Sequence, residues 1–262
     1  MKLTYFIADV HLGLDYLNPI AREKKFASFL ENLPSDTGRV YLLGDIFDFW
    51  YEYKDVIPRK FTRTLGALAH LCDKGVDVHF FCGNHDVWTY NYLQKEIGVI
   101  VHKAPAIVAI DGHNFFLGHG DALLDNNRSY RCLRWIFHNR FIQLCFSALH
   151  PRWAFLLGHS WSRHNRLTRY NTEDEASIKA NKEKLEKASV VWAADFIQKQ
   201  ATAGQSMVEH FILGHYHIPL SIKIEGGADL SILGDWLYNP DYIVFDGVSL
   251  ERKLLLIEQG EV

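Results

Sequence analysis

Tyr41-Leu-Leu-Gly-Asp-Ile-Phe-Asp-Phe-Trp50 is an apolar run that halts at Gly44 and then presents two carboxylates, Asp45 and Asp48. A short apolar run closed by glycine reads as a buried strand that ends in a loop. Four other segments repeat this design: Ile7-Ala-Asp9-Val-His11, Phe81-Cys-Gly-Asn84-His85-Asp86, Leu117-Gly-His119-Gly-Asp121 and Leu213-Gly-His215-Tyr-His217. Each passes from an apolar stretch into a turn of hard oxygen or imidazole groups. One such turn carries little meaning, since Asp45 alone could cap a helix and Asn84 alone could be a turn residue. Five in one chain point to a metal centre assembled from strand ends.

The chain around these segments is ordered accordingly. Lys2–Ala8, Arg39–Leu43 and Val76–Cys82 read as strands, separated by helices that open at Pro19 and Pro58. This β-α-β-α-β order implies a parallel sheet with functional groups at the carboxyl ends of its strands. A short helix near Thr89–Ile97 leads to a hairpin turning at Asp111-Gly112. From Leu123 to about Lys199 the pattern is helical, and strands return at His210–Leu213, Ser221–Ile224, Leu230–Leu233, Tyr242–Phe245 and Lys253–Glu258. The expected organisation is an α/β core at 1–122 and 200–262, with two β-sheets flanked by helices and a helical insertion at 123–199.

Composition bounds the partners. The 262 residues suit one large domain with an insertion, 48% of them are apolar, and the net charge is -3. Four scattered cysteines form no CxxC pair, which argues against thiolate zinc and disulfides and fits a reducing compartment. No signal peptide is visible, and no apolar run approaches the roughly 20 residues of a membrane span. Between Asn126 and Thr172 stand eight arginines and no Asp, Glu or Lys, so the rest of the chain is distinctly acidic and would repel a long nucleic-acid duplex. No obligate protein partner is implied.

Together the five turns offer Asp9, His11, Asp45, Asn84, His119, His215 and His217. That set exceeds one metal at catalytic geometry and suits two, if one carboxylate bridges them. Mixed oxygen and nitrogen ligation fits Mn²⁺, Fe²⁺ or Zn²⁺ and is too nitrogen-rich for Ca²⁺ or Mg²⁺. Such a pair of ions clamps the attacking and leaving oxygens of a displacement at phosphorus. In Asp9-x-His11 and His215-x-His217, alternate residues leaving a strand point the same way and can reach one site. The remaining histidines, among them 79, 102, 113 and 210, read by default as surface or core groups.

The same blocks resemble the signature of calcineurin-like metallophosphoesterases: Asp9-Val-His11, Gly44-Asp-Ile-Phe-Asp48, Gly83-Asn-His-Asp86, Gly118-His119 and Gly214-His-Tyr-His217. The resemblance implies an α/β/β/α sandwich of two mixed sheets. It also implies Asp9, His11, Asp45 and His217 around one metal, and Asp45, Asn84, His119 and His215 around the other. His85 would contact phosphate and protonate the leaving group, oriented by Asp48.

Gly-Asp-Ile-Phe-Asp-Phe-Trp50, His-Gly-Asp121 and the inserted helices further resemble the UDP-2,3-diacylglucosamine diphosphatases of lipid A synthesis. That resemblance implies a UDP-linked diacylated glucosamine as substrate, release of lipid X and UMP, Mn²⁺ as the metal, and residence at the cytoplasmic face of the inner membrane. The arginines of the insertion suit a nucleotide phosphate or an anionic membrane surface. Its aromatics (Trp135, Phe137, Phe141, Phe146, Trp153, Phe155, Trp161) suit an acyl-chain pocket or bilayer interface, or else form the insertion's own core. Candidate substrate contacts are Trp50, Asn84, His85, Asn127, Arg128, Tyr130, Arg131, Arg163, His164 and Arg166. The chain departs from many of those enzymes, which carry Arg at the position of His85 and in some cases Glu at that of Asp48. A different pyrophosphate or lipid phosphoester, a soluble phosphodiesterase or nucleotide pyrophosphatase, and a non-catalytic scaffold on the same frame remain the alternatives.

Overall fold

The computed structural model describes residues 2–121, 128–158, 160, 175–238 and 240–255. β1 (Leu3–Ile7), β2 (Thr37–Leu43), β3 (Asp77–Phe81) and β4 (Ile100–His102) run parallel. β10 (Asp241–Phe245) and β11 (Leu250–Leu254) join antiparallel beside β1, giving the order β11-β10-β1-β2-β3-β4. The second sheet has the order β5-β6-β7-β9-β8, from β5 (Ala106–Ile110), β6 (His113–Leu117), β7 (His210–Leu213), β8 (Leu220–Lys223) and β9 (Asp229–Ile232). It too is mixed: β6-β7 and β7-β9 are parallel, β5-β6 and β8-β9 antiparallel.

Strand periodicity explains why the layers stack. In β1, Tyr5 and Ile7 face one core, while Phe6 and the following Ala8 face another. Val40 and Leu42 alternate with Tyr41 and Leu43 in the same way on β2. A strand buried on both faces must be apolar throughout, hence the unbroken runs. The outer face of the first sheet is covered by α1 (Pro19–Glu31) and α2 (Thr62–Asp73), through Phe26, Phe29, Leu30, Leu65 and Leu68. Between the sheets lie Phe6, Phe115, Leu117, Ile212 and Phe245. The outer face of the second sheet packs Phe116, Phe211 and Leu213 against Leu185, Ala193 and Phe196 of α6 (Glu175–Thr202). The result is an α/β/β/α sandwich of two mixed sheets.

Several expectations shift. α2 starts at Thr62, not Pro58, because Phe61 is drawn into the core against Phe47, with ring centroids 4.8 Å apart. The expected helix near Thr89–Ile97 is a single π-helical turn at Leu93–Ile97, and β4 was not expected. The expected boundary at 199/200 falls inside α6, whose buried residues belong to the sandwich. Among the described residues, three helices lie between β6 and α6: α3 (Arg128–His138), α4 (Arg140–Ser147) and α5 (151–158). They lie over the wall that follows β2. Tyr51 and Tyr53 donate hydroxyl hydrogen bonds to the carbonyls of Gln143 (3.2 Å) and Leu149 (3.1 Å), and the Trp88 indole N–H donates to the Phe137 carbonyl at 2.8 Å.

Candidate metal centre

Each functional segment begins where a parallel strand stops. Asp9 and His11 follow β1, Asp45 and Asp48 follow β2, Asn84 and His85 follow β3, His119 follows β6, and His215 and His217 follow β7. The backbone there is unusual. Among the described residues, nine non-glycine residues have positive φ, and five of them are Asp9 (53°), His11 (49°), Asp45 (52°), His215 (75°) and His217 (58°). Left-handed backbone is costly for residues other than glycine, and clusters of it mark sites where geometry is held by the surrounding fold. The loops lock one another: Asp9 N–H donates to the Gly44 carbonyl (3.1 Å), His11 N–H to Asp45 (2.9 Å) and Gly214 N–H to His119 (2.9 Å).

Two clusters result. In the first, His11 Nε2 and His217 Nε2 are 3.2 Å apart, and Asp9 Oδ1 lies 3.7 Å from the former and 3.5 Å from the latter. In the second, His119 Nε2 is 3.2 Å from Asp45 Oδ2, 3.2 Å from Asn84 Oδ1 and 3.3 Å from His215 Nδ1. Asp45 Oδ2 also stands 3.9 Å from His11 Nε2, between the clusters. Neighbouring donors about 3 Å apart are what a shared cation requires when each bond is about 2.1 Å.

The ring tautomers are set from behind. His119 Nδ1–H donates to the Leu43 carbonyl at 2.9 Å, and His217 Nδ1–H donates to Asp235 Oδ2 at 3.2 Å. Both rings thereby aim an Nε2 lone pair at the centre. Asp235 was missed in the sequence because it belongs to none of the five segments. The loop after β9 carries it in, and its Oδ1 is held by the N–H groups of Leu237 (3.0 Å) and Tyr238 (3.3 Å). Arg22 was missed for the same reason; from α1 its Nη1 donates to the His11 carbonyl at 2.9 Å. Asp86 ties the loops after β2 and β3 together, accepting from Ile46 N–H (2.9 Å) and Gly83 N–H (2.7 Å).

Electrostatics favour cations. Asp9 Oδ1 is buried and accepts no hydrogen bond, and burial pushes the Asp9 carboxyl well above its usual range. An ionised carboxylate oxygen in that position needs a positive charge facing it. Burial also opposes charge on Asp45, but the His119 and His85 rings beside it outweigh burial and hold it well below the ordinary value. Burial likewise disfavours a charged His119, and the Asp45 carboxylate overrides it, raising its affinity for a proton. A divalent ion would displace that proton. Three glycines make room: a Cβ on Gly44 would lie 2.6 Å from His119 Nδ1, one on Gly214 2.6 Å from Asp9 Oδ2, and one on Gly83 would collide with Asp45 Oδ1. The residues therefore suit two divalent metal ions.

His85 and Asp48 sit at the edge of the centre. His85 Nδ1–H donates to the main-chain carbonyl of Asp48 at 2.7 Å, which leaves Nε2 facing Asp45 Oδ2 at 3.9 Å. The Asp48 carboxylate is 3.9 Å from His85 Nδ1 and 3.6 Å from His11 Nδ1. The backbone carbonyl of Asp48 thus holds the His85 ring by a hydrogen bond, with the carboxylate of the same residue within ion-pair distance.

Trp50 is a correction. It is fully buried, stacked 4.3 Å from Phe47, and its indole N–H donates to Glu52 Oε1 at 3.1 Å, so its ring belongs to the core and presents no exposed surface. Of the expected contacts on the insertion, Arg131 is exposed on α3, and Arg128 and Tyr130 fall in that helix's first turn. Asn127, Arg163, His164, Arg166 and Trp161 lie outside the described residues.

No family model matches the chain. A UDP-2,3-diacylglucosamine hydrolase of Porphyromonas gingivalis is 36% identical over 249 residues, spanning 94% of this chain and 95% of that protein. Proteins of the same name from Photobacterium profundum (28%, 95% of this chain and 96% of that one) and Neisseria meningitidis (29%, 90% of each) are also similar. Among solved structures, a dimetal phosphatase of Danio rerio matches with a TM-score of 0.43 at 15% identity, over 97% of this chain and 95% of that one. Vps29 of Chaetomium thermophilum matches with a TM-score of 0.43 at 11% identity, over 98% and 89%.

Proposed function

The chain belongs to the UDP-2,3-diacylglucosamine hydrolase family, and from that premise we propose that it hydrolyses the pyrophosphate bond of UDP-2,3-diacylglucosamine, yielding 2,3-diacylglucosamine 1-phosphate (lipid X) and UMP in lipid A biosynthesis. The observation that carries this reading is the place of Asp45, with one oxygen 3.2 Å from His119 Nε2 and 3.9 Å from His11 Nε2. Asp9, His11, Asp45 and His217 would hold one ion, and Asp45, Asn84, His119 and His215 the other. Two divalent ions there, Mn²⁺ in our reading with Fe²⁺ or Zn²⁺ as alternatives, supply Lewis acidity to phosphoryl oxygens and lower the pKa of water.

The chain's own groups do the rest. His85, with Nδ1–H engaged by the Asp48 carbonyl, presents Nε2 to the phosphate and to the oxygen of the leaving UMP or sugar phosphate. Asp48 steadies His11. A cavity of about 390 Å³ opens between α5 and the loop at 56–61, lined by Phe49, Val56, Ile57, Phe61, Pro151 and Phe155. Its apolar wall suits an acyl chain. Arg59, Lys60 and Arg152 at the same cavity suit phosphate or anionic lipid.

No helix among the described residues is long and apolar enough to cross a membrane. Trp135, Phe141, Leu144 and Trp153 on α3–α5 are nevertheless exposed by 58% or more. These side chains support our reading of a peripheral protein resting on the cytoplasmic face of the inner membrane.

The test is release of UMP from UDP-2,3-diacylglucosamine by protein loaded with Mn²⁺. Brisk turnover of a simple aryl phosphodiester without UMP release would reject the substrate and favour a soluble phosphodiesterase.

A further inference from the structure

His113 and His210 open the neighbouring parallel strands β6 and β7, at the ends remote from the metal centre. The register pairs Phe115 with His210. His113, two residues earlier, therefore shares a sheet face with His210. The two rings are 5.8 Å apart, and both rest on Phe245, at 5.5 and 6.1 Å. Glu209, just before β7, accepts from His113 Nδ1–H at 2.8 Å and from Asn114 N–H at 3.1 Å. A donor atom from each of His113, Glu209 and His210 lies within 4.8 Å of the others.

A strand-end ion pair accounts for His113 and Glu209 but not for His210. Its Nδ1 is buried and makes no hydrogen bond, with Asp229 Oδ2 at 3.5 Å as a further oxygen in reach. Burial pushes His210 below its ordinary value and so disfavours the charged ring. The hydrogen bond from His113 holds Glu209 below the usual carboxylate range. Two imidazoles with carboxylates and no thiolate form a set that imidazole-seeking ions favour.

We propose that His113, Glu209 and His210, with Asp229 beside them, form a separate site for one zinc-like divalent ion. The six steps along the chain from His113 to His119, most of them in extended β6, cover up to about 20 Å, so this site is distinct from the dinuclear centre. Tetrahedral zinc needs donors about 3.3 Å apart, a closure within reach of the partly exposed His113 and Glu209 side chains. The ion would clamp the start of β6 to that of β7, the strands whose other ends deliver His119 and His215.

The test is zinc content after exposure to zinc and desalting, with anomalous scattering at the zinc edge to locate each ion. The parent is expected to hold one zinc more per chain than His113→Gln or Glu209→Gln, with an anomalous peak against these side chains. Both variants should keep the parent's Mn²⁺-supported rate in zinc-free buffer. Asp45→Ala, which disrupts the dinuclear centre, should retain the extra zinc. Equal zinc content in parent and variants, with peaks confined to the Asp9 and Asp45 region, would overturn the proposal.

Discussion

His85 Nδ1 is 2.7 Å from the main-chain carbonyl of Asp48, while the carboxylate of the same residue is 3.6 Å from His11 Nδ1. One residue thus stands against two histidines, its backbone carbonyl hydrogen-bonded to His85 and its carboxylate nearer to His11 than to His85. Asp48→Ala should leave His85 in place and disturb His11. The expected result is metal affinity weakened by about 10–100-fold, as for other residues that support a metal-ligating imidazole. At saturating metal the rate should largely recover. Metal titration of the rate checks both, and a rate that stays low at saturating metal would place the Asp48 carboxylate on His85 after all.

His85→Ala separates proton transfer from metal binding. His85 approaches Asp45 Oδ2 only to 3.9 Å, and its backbone N–H donates to Asp45 Oδ1 at 2.9 Å, a bond that survives loss of the ring. Metal content should equal that of the parent while the rate falls by about 10²–10⁴. Undiminished turnover would remove His85 as the proton donor.

Gly214→Ala tests the packing behind Asp9. The added methyl would lie 2.6 Å from Asp9 Oδ2 and 2.7 Å from Ala8 Cβ. Overpacking of this kind costs about 1–3 kcal/mol. It would also push aside the carboxylate that accepts the His215 N–H at 2.8 Å. Loss of bound metal in elemental analysis, with a lowered Tm, is expected. A variant with full metal content would mean that Asp9 is less tightly confined than its surroundings indicate.

What could be read from the amino acids, and what could not, follows from the range of the forces involved. Leu42, Leu43 and Phe81 are buried on strands covered on both faces, so their segments close in apolar runs that end visibly just before or at glycine. The left-handed backbone at Asp9 and His217 leaves no mark in the sequence, because neither is glycine. Ile100–His102 is too short, and Ile100 too exposed, for alternation to register. Trp50 misled because an aromatic beside a motif can face either way. Glu52, two residues on, satisfies its indole and turns it inward, while Glu52 Oε2 accepts from the backbone of Tyr90, Asn91 and Tyr92. The approach of Asp235 to His217 depends on chain closure across β9 and β10, which no local pattern encodes.

A pH dependence follows from His79 on β3. Its Nδ1 lies 2.9 Å from His102 Nε2, and its ring stacks on Tyr41 at 4.5 Å. Burial, then the neighbouring His102, pushes His79 down to about 4, against about 6.5 in an unfolded chain. Between those values the unfolded state binds the extra proton, so stability is full above pH 6.5 and drains away as the pH falls toward 4. Screening at this partly exposed ring limits the loss to about 1 kcal/mol between pH 6.5 and 5. His79→Phe keeps the stack and removes the titration. The fall in Tm from pH 7.5 to pH 5 should be smaller in the variant, and equal slopes would show that His79 is protonated without penalty.

The aromatics of α3–α5 divide into two groups, and the division gives a test for the membrane. Phe137 and Phe146 pack on Trp88, with centroids 5.4 and 4.6 Å away, and Phe155 packs on Phe49 at 5.8 Å. Trp135, Phe141 and Trp153 are 63%, 73% and 58% exposed, and Arg152 lies over the Trp153 ring at 6.0 Å. Each aromatic transferred to a bilayer contributes about 1.5–3 kcal/mol when fully buried, and these three enter only in part. Replacing all three with serine should weaken binding to phosphatidylglycerol vesicles by about 100-fold, or about 3 kcal/mol. Turnover of a water-soluble, short-chain substrate should stay at the parent's level, because the inward-facing set is untouched. Residual binding should fall further in salt, since it would rest on the arginines alone. If vesicle binding holds and short-chain turnover collapses instead, the three side chains face the substrate rather than the bilayer.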